Sequence, residues 1–221
     1  MARDPGIVTA DGSPVDIYRA LPRPAIAHAI HAALRREASV LDLGCGTGRF
    51  AVALTALGHP VIAVDVDPAM VSGLDHVAGV ESIVADIVGL DLGRRVDAVL
   101  LASHLVNDDE LGPAALATAG RHLAAGGSLV AEVYPAGMDW TAAVGHRSAV
   151  GPVGITVTRA RVAGDRLEAS VRYDLDGRVW DQPFEARLLD ETALDERLAG
   201  AGFTFARWLD AGAGWFVARR R

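Results

Sequence analysis

Between Ser39 and Val133 the chain alternates short apolar runs with segments of helical period, and this alternation restricts the fold more than any other feature. In order, Ser39–Leu43 reads as a strand, Thr47–Leu57 as a helix stopping near Gly58, Val61–Asp65 as a strand, and Pro68–Leu74 as a short helix with Pro68 near its start. Ser82–Ala85 follows as a strand ending at Asp86, then Val96–Ala102 as a strand, Pro113–Leu123 as a helix ending near Gly126-Gly127, and Ser128–Val133 as a strand. Strands so short and so uniformly apolar belong to a parallel sheet covered on both faces by helices. Ahead of them, Pro22–Glu37 reads as a helix, with Ile26, Ala29, Ile30, Ala33 and Leu34 at helical spacing. The residues through Ser13-Pro14 are polar and punctuated by Gly and Pro, and read as a mobile lead.

After Tyr134 the pattern changes. Leu167, Ala169, Val171, Tyr173 and Leu175 alternate with charged and polar residues, Asp176-Gly177 is a hairpin turn signal, and Trp180, Gln182, Phe184, Ala186 and Leu188 share the next face. With a rougher strand over Ile155–Val162, this predicts an antiparallel excursion of about three strands. Glu191–Ala201 then returns as a helix, with Asp190 as N-cap and Gly202 just past its end, before a closing pair of strands at Phe203–Trp208 and Trp215–Ala218. The fold class is therefore α/β: a doubly wound, mostly parallel, seven-stranded, Rossmann-like sheet with helices on both faces and an antiparallel excursion after the fifth strand. The expected organisation is one domain over residues 1–221, with 1–37 as an N-terminal cap and 135–189 as an antiparallel insertion on the substrate side.

Composition narrows the partners. The formal charge is −7 and all 21 basic residues are arginine, an acidic balance that does not suit a nucleic-acid surface. The only cysteine, Cys45, makes neither an internal disulfide nor a Cys-rich metal site, and no metal is expected. No signal-peptide pattern and no apolar run of about 18 residues occurs, so the expectation is a cytoplasmic protein without a membrane partner, monomeric or homodimeric.

The stretch VLDLGCGTGRF, Val40–Phe50, ends the first strand and opens a helix. Gly44 and Gly46 match the first two glycines of the dinucleotide fingerprint G-x-G-x-x-G, but its third place holds Arg49 and the third glycine is Gly48. Glycines there let the backbone approach a ligand closely, and the helix N-terminus offers N–H groups. Asp42 would repel a pyrophosphate at the loop mouth and would suit an ammonium or a sulfonium. Asp65, at the end of the second strand, can accept from both hydroxyls of a ribose. Asp86, at the end of the third, can accept from the amine of an adenine. Three carboxylates at three successive strand ends suggest an adenosine ligand without phosphates.

These residues resemble the class I S-adenosylmethionine-dependent methyltransferases of small-molecule type. VLDLGCGTGRFAVALTALGHPVIAVDVDPAMV is similar to their first two motifs, VADI ending at Ile87 to their third, and LAGAGF to their C-terminal layout. The resemblance implies S-adenosyl-L-methionine as cofactor, with Gly44, Cys45 and Gly46 around the methionine portion, Asp42 either touching it or bracing the loop, Asp65 on the ribose, Val66 flanking the adenine, and Asp86 and Ile87 binding it by side chain and backbone. It also implies that the loop LLASHLVND runs beside the transferred methyl, with Ser103 presenting backbone to the cofactor and His104 as the candidate base. Ala102-Ser103-His104-Leu105 departs from the [N/D]-P-P-[Y/F] tetrad of the nucleic-acid amino methyltransferases.

Methyl transfer from a sulfonium needs alignment and exclusion of water more than a conspicuous catalytic triad. The expected activity is transfer of a methyl to an N or O atom of a small-molecule acceptor. Tyr18, Tyr134, Trp140 and Arg147 are the candidate acceptor contacts. A nicotinamide-dependent reductase and a non-catalytic S-adenosylmethionine-binding protein of the same fold are the alternatives.

Overall fold

The structure, a computed structural model, describes residues 6–221, and its chain divides into two compact units. One holds residues 23–136 and 189–221; the other joins the described part of 1–22 to 137–188. The division groups the start of the expected N-terminal cap with the insertion and leaves 23–37 in the larger unit.

The larger unit is built on a seven-stranded sheet. Its strands are β1 (Val40–Leu43), β2 (Val61–Asp65), β3 (Val80–Val84), β4 (Val96–Leu101), β5 (Leu123–Glu132), β10 (Phe203–Trp208) and β11 (Trp215–Arg220). They lie in the order β10-β11-β5-β4-β1-β2-β3, with β3-β2-β1-β4-β5 parallel and β11 antiparallel to both its neighbours. The order reverses between β1 and β4, which is where open α/β sheets hold ligands, beyond the strands' carboxyl ends. The helices of this unit are α2 (Ala27–Ala33), α3 (Arg49–Ala56), α4 (Pro68–Val71), α5 (Leu111–His122) and α6 (Glu191–Gly200). Two buried apolar clusters hold it together: one contains Leu41, Leu43, Leu101, Leu116, Phe203 and Phe216, the other Val40, Leu54, Val61, Leu100 and Val217. Successive residues of β1 enter different clusters, as expected for a strand covered on both faces.

Local chemistry sets the boundaries. The predicted Pro22–Glu37 helix is shorter, confined to Ala27–Ala33, because Pro22 and Pro24 hold the chain out of helix and Leu34 turns extended. Helix α5 starts before Pro113: Asp108 accepts the Glu110 and Leu111 N–H groups, and a proline in the first turn lacks only a donor that has no intrahelical partner. Asp190 caps α6 by accepting the Ala193 N–H, and Gly202 follows it at φ +79°. The terminal arginines are not a loose tail, since β11 extends to Arg220 and Arg219 donates to the Gly126 carbonyl and the Ser128 hydroxyl.

The smaller unit carries a four-stranded antiparallel sheet of β6 (Arg147–Val150), β7 (Val153–Ala163), β8 (Arg166–Leu175) and β9 (Arg178–Arg187), one strand more than predicted. The extra strand β6 is four exposed residues with no alternation to read, and it is made by the turn at Gly151-Pro152. Asp176 and Gly177 both have positive φ, as the predicted two-residue hairpin requires. A short helix α1 (Val15–Ala20), which has no clear period in the sequence, places Ile17 in a buried cluster with Val153 and Trp180. The expected mobile lead lies outside the described residues for 1–5. From residue 8 on it is ordered by a bridge between Val8 and Pro14 and by hydrogen bonds among Thr9, Asp11 and Ser13.

Candidate functional site

The glycine loop leaves β1 and enters α3 within a few residues. The N–H groups of Gly44 and Cys45 both donate to the Val64 carbonyl, at 2.8 and 2.9 Å, which ties the loop to β2. Gly46 has φ +54° and open space where a side chain would stand, so its backbone face is accessible. Gly48, with φ +76°, caps α3 and lies against Leu74, leaving no room for a Cβ.

Asp65 faces this loop. One of its oxygens accepts the Gly46 N–H at 2.8 Å and the other the Asp67 N–H at 3.0 Å. A carboxylate offers about four lone-pair sites, so its two oxygens can serve more than one donor each. Val66 follows with its side chain 66% exposed, an apolar surface at the strand end. Asp86 is exposed and accepts the Val88 N–H. Ile87 buries its side chain in the core, and its carbonyl accepts the Thr118 hydroxyl at 2.8 Å. Its N–H makes no hydrogen bond among the described residues.

Asp42 stands elsewhere than the sequence suggested. Its side chain is wholly buried, in the interior against the first turn of α3, not at the loop mouth. The reason is its second-to-last place in a four-residue strand buried along its whole length. Among the described residues neither oxygen has a partner at hydrogen-bond geometry, and the nearby Ala51 backbone only weakly favours its charge. Burial, and then the charge of Asp65, push this carboxyl up to about 7. Cys45 is half-buried; burial and the two nearby carboxylates push its thiol upward, so it stays protonated and is no nucleophile.

A second group of residues gathers where β4 and β5 end. Ser103 and His104 are consecutive non-glycine residues at φ +56° and +58°, a left-handed turn that costs energy unless something holds it. Glu132, the last residue of β5, holds it: its Oε2 accepts the Ser103 N–H at 2.7 Å. Its Oε1 lies 3.9 Å from His104 Nε2, and both side chains are mostly covered. The His104 ring stacks on Tyr134 with centroids 3.8 Å apart, and its Nδ1 is buried without a hydrogen-bond partner. Burial pushes His104 down to about 4, opposed by the Val133 backbone. Burial also pushes Glu132 up to about 7, opposed by the Ser103 N–H, the Arg49 charge, the His104 N–H and the Trp215 side chain. Arg49, the residue that broke the dinucleotide fingerprint, thus faces the Glu132 carboxylate.

Sequence reasoning passed over Glu132. The available signal was a charged residue closing the apolar run SLVAE at the end of the fifth strand. The segment Asn107–Glu110 leads into α5: Asn107 is buried and accepts the Tyr134 N–H, and Asp109 pairs with Arg197. Among the described residues no cluster of metal-ligating side chains occurs, and no helix is long and apolar enough to cross a membrane.

Tyr18, Trp140 and Arg147 belong to the smaller unit. Tyr18 is half-buried near Ser13, Gln182 and Tyr173. Trp140 is 5% exposed and meets Phe184 edge-on at 6.0 Å. Arg147 is exposed at the start of β6, with its guanidinium beside Gly154.

Residues 40–127 match the family model described as a methyltransferase domain. No curated protein matches the chain. Among solved structures, the sugar N-methyltransferase KedS8 from Streptoalloteichus shares 26% identity and a TM-score of 0.71, over 100% of this chain and 99% of that one. The S-adenosylmethionine-bound amino pentose methyltransferase CalS10 from Micromonospora echinaspora shares 28% identity and a TM-score of 0.67, with 89% of each chain covered. DesVI from Streptomyces venezuelae has the same fold at 20% identity, with a TM-score of 0.71 over 93% of this chain and 98% of that one. The strand order, the glycine loop with its strand-end carboxylates and the matched family model agree: the chain carries a class I methyltransferase domain of the S-adenosylmethionine-dependent kind.

Proposed function

We propose that this protein methylates an amino group of a small, sugar-like acceptor. The observation that carries the reading is the full-length likeness to a sugar N-methyltransferase, which takes in the antiparallel insertion as well as the shared sheet. The buried Glu132 beside His104 is consistent with an acceptor that arrives as a cation.

The residues present fit S-adenosylmethionine. The open backbone at Gly46 admits the methionine end, and Asp65, a carboxylate at the end of β2 beside that loop, is the acceptor for the ribose hydroxyls. The exposed Val66 offers a face for adenine, Asp86 an acceptor for its amine, and the Ile87 N–H a donor for a ring nitrogen. Asp42 braces the loop from the interior in this reading, and Ser103 presents backbone to the ligand. Once bound, the cofactor would supply a methyl on a sulfonium, an electrophile for the lone pair of the acceptor nitrogen. The chain's own work is to align that nitrogen, exclude water and remove one proton, with His104 as base and Tyr134 stacked to fix its ring. Acceptor choice is assigned to the smaller unit, with the exposed Arg147, the half-buried Tyr18 and the buried Trp140 as its candidate contacts.

The reductase alternative is not favoured, since Arg49 occupies the place of the third fingerprint glycine. Calorimetry with S-adenosylhomocysteine and with NADPH separates the two, and binding of the first alone is expected. Mass spectrometry on a panel of amino sugars and their hydroxyl counterparts then reads the gain of one CH2. Methylation of the hydroxyl compounds alone would overturn nitrogen as the target.

A further inference from the structure

The turn at Ser103-His104 is the most constrained backbone in the large unit that does not use glycine. Two residues in a row hold positive φ, and each carries a side chain that disfavours it. The register of β4 on β5, Leu101 opposite Ala131, brings the end of β5 beside this turn. Glu132 then meets it twice, through the Ser103 N–H at 2.7 Å and across a 3.9 Å gap from the His104 ring. A carboxylate is a strong acceptor for a backbone N–H, and a mostly covered one is sensitive to the proton state of a titratable neighbour.

Building on the methyl-transfer reading, we propose that Glu132 is a positioning residue for His104: one oxygen holds the left-handed turn in place and the other answers the charge of the imidazole, so that the two side chains act as a single proton acceptor toward the incoming amine. The amine arrives as an ammonium and gives one proton to the pair. Its freed lone pair becomes the nucleophile, and the proton later leaves to water. The charged and titratable groups facing the pair come from three other places: Arg49 on α3, Tyr134 after β5, and the Trp215 N–H on β11, which donates but does not titrate. Burial raises Glu132 to about 7 and lowers His104, so the pair takes up its first proton as a unit near neutrality. Ionised Glu132 with neutral His104 is the receptive state. It is present above that value and is lost as pH falls through it.

The test is an NMR titration of the full chain, following the His104 ring nitrogens and the Ser103 amide from pH 5 to 9, with and without S-adenosylhomocysteine. In the wild type both signals are expected to move with one midpoint near neutrality. Glu132→Gln, which keeps an acceptor for the Ser103 N–H, removes that midpoint, while Glu132→Asp retains it. Calorimetric affinity for S-adenosylhomocysteine stays within twofold in both variants, so loss of binding in the wild type would count against the cofactor reading and not against Glu132. An unchanged His104 titration in Glu132→Gln would overturn the proposal. Should that variant not fold, a wild-type Ser103 amide that is insensitive to pH across the range would overturn it equally.

Discussion

The carboxyl ends of β1, β2 and β3 differ from those of β4 and β5 in how their backbone is built. On the first side every positive φ in the ligand loop falls on glycine, and the strand-end carboxylates Asp65 and Asp86 already accept nearby N–H groups. On the second side the positive φ values fall on serine and histidine, and the shifted titratable groups His104 and Glu132 stand at the strand ends, whereas the shifted carboxyl of the first side, Asp42, lies buried beneath its loop. A binding surface has to be preformed and is served by relaxed geometry. A proton-handling site has to hold groups in states that water would not favour, and strain and burial are the means. In the proposed reading, the difference divides one edge of one sheet into a part that holds and a part that reacts.

Three substitutions probe this division. The largest effect is expected from His104→Asn, because asparagine tolerates the left-handed backbone while removing the base. Turnover on the acceptor identified from the amine panel should fall about a hundredfold, or about 2.7 kcal/mol, with affinity for S-adenosylhomocysteine unchanged. A matching loss of affinity would erase the division. Asp65→Ala should do the reverse: cofactor affinity weakens by about tenfold or more, at least about 1.4 kcal/mol, while turnover at saturating cofactor is nearly kept. Unchanged affinity by calorimetry would remove Asp65 from the binding part. The smallest effect is Ser103→Gly, which relieves the left-handed cost and should raise stability by about 0.5–1 kcal/mol in denaturant melts while lowering turnover. A destabilised variant would mean that the turn is not strained.

Much of the holding part was legible in the sequence, because its signals are local. Strands β2 and β10 have the boundaries their apolar runs predict, and the spacing from the glycine loop to Asp65 reflects one strand–helix–strand passage. The reacting part was half legible. His104 lies in a recognisable loop, but Glu132 matters only because β5 pairs with β4 across about thirty intervening residues, a relation no periodicity carries. Asp42 was misplaced for a related reason: the sequence shows a carboxylate near glycines, and only the packing of α3 over β1 shows that it is buried beneath them. The short elements α1 and β6 were hidden because six and four residues are too few to display a period.

The position of β11 has a consequence for how the protein is made. This strand, last in chain order, fills an interior place between β5 and β10. Until Trp215–Arg220 emerges from the ribosome, the β5 side that carries Glu132 has no antiparallel neighbour, and such a bare edge invites pairing with another chain. Closure of the sheet is thus a late, long-range event that vectorial synthesis cannot advance, and the reacting half of the edge is finished only when that strand docks.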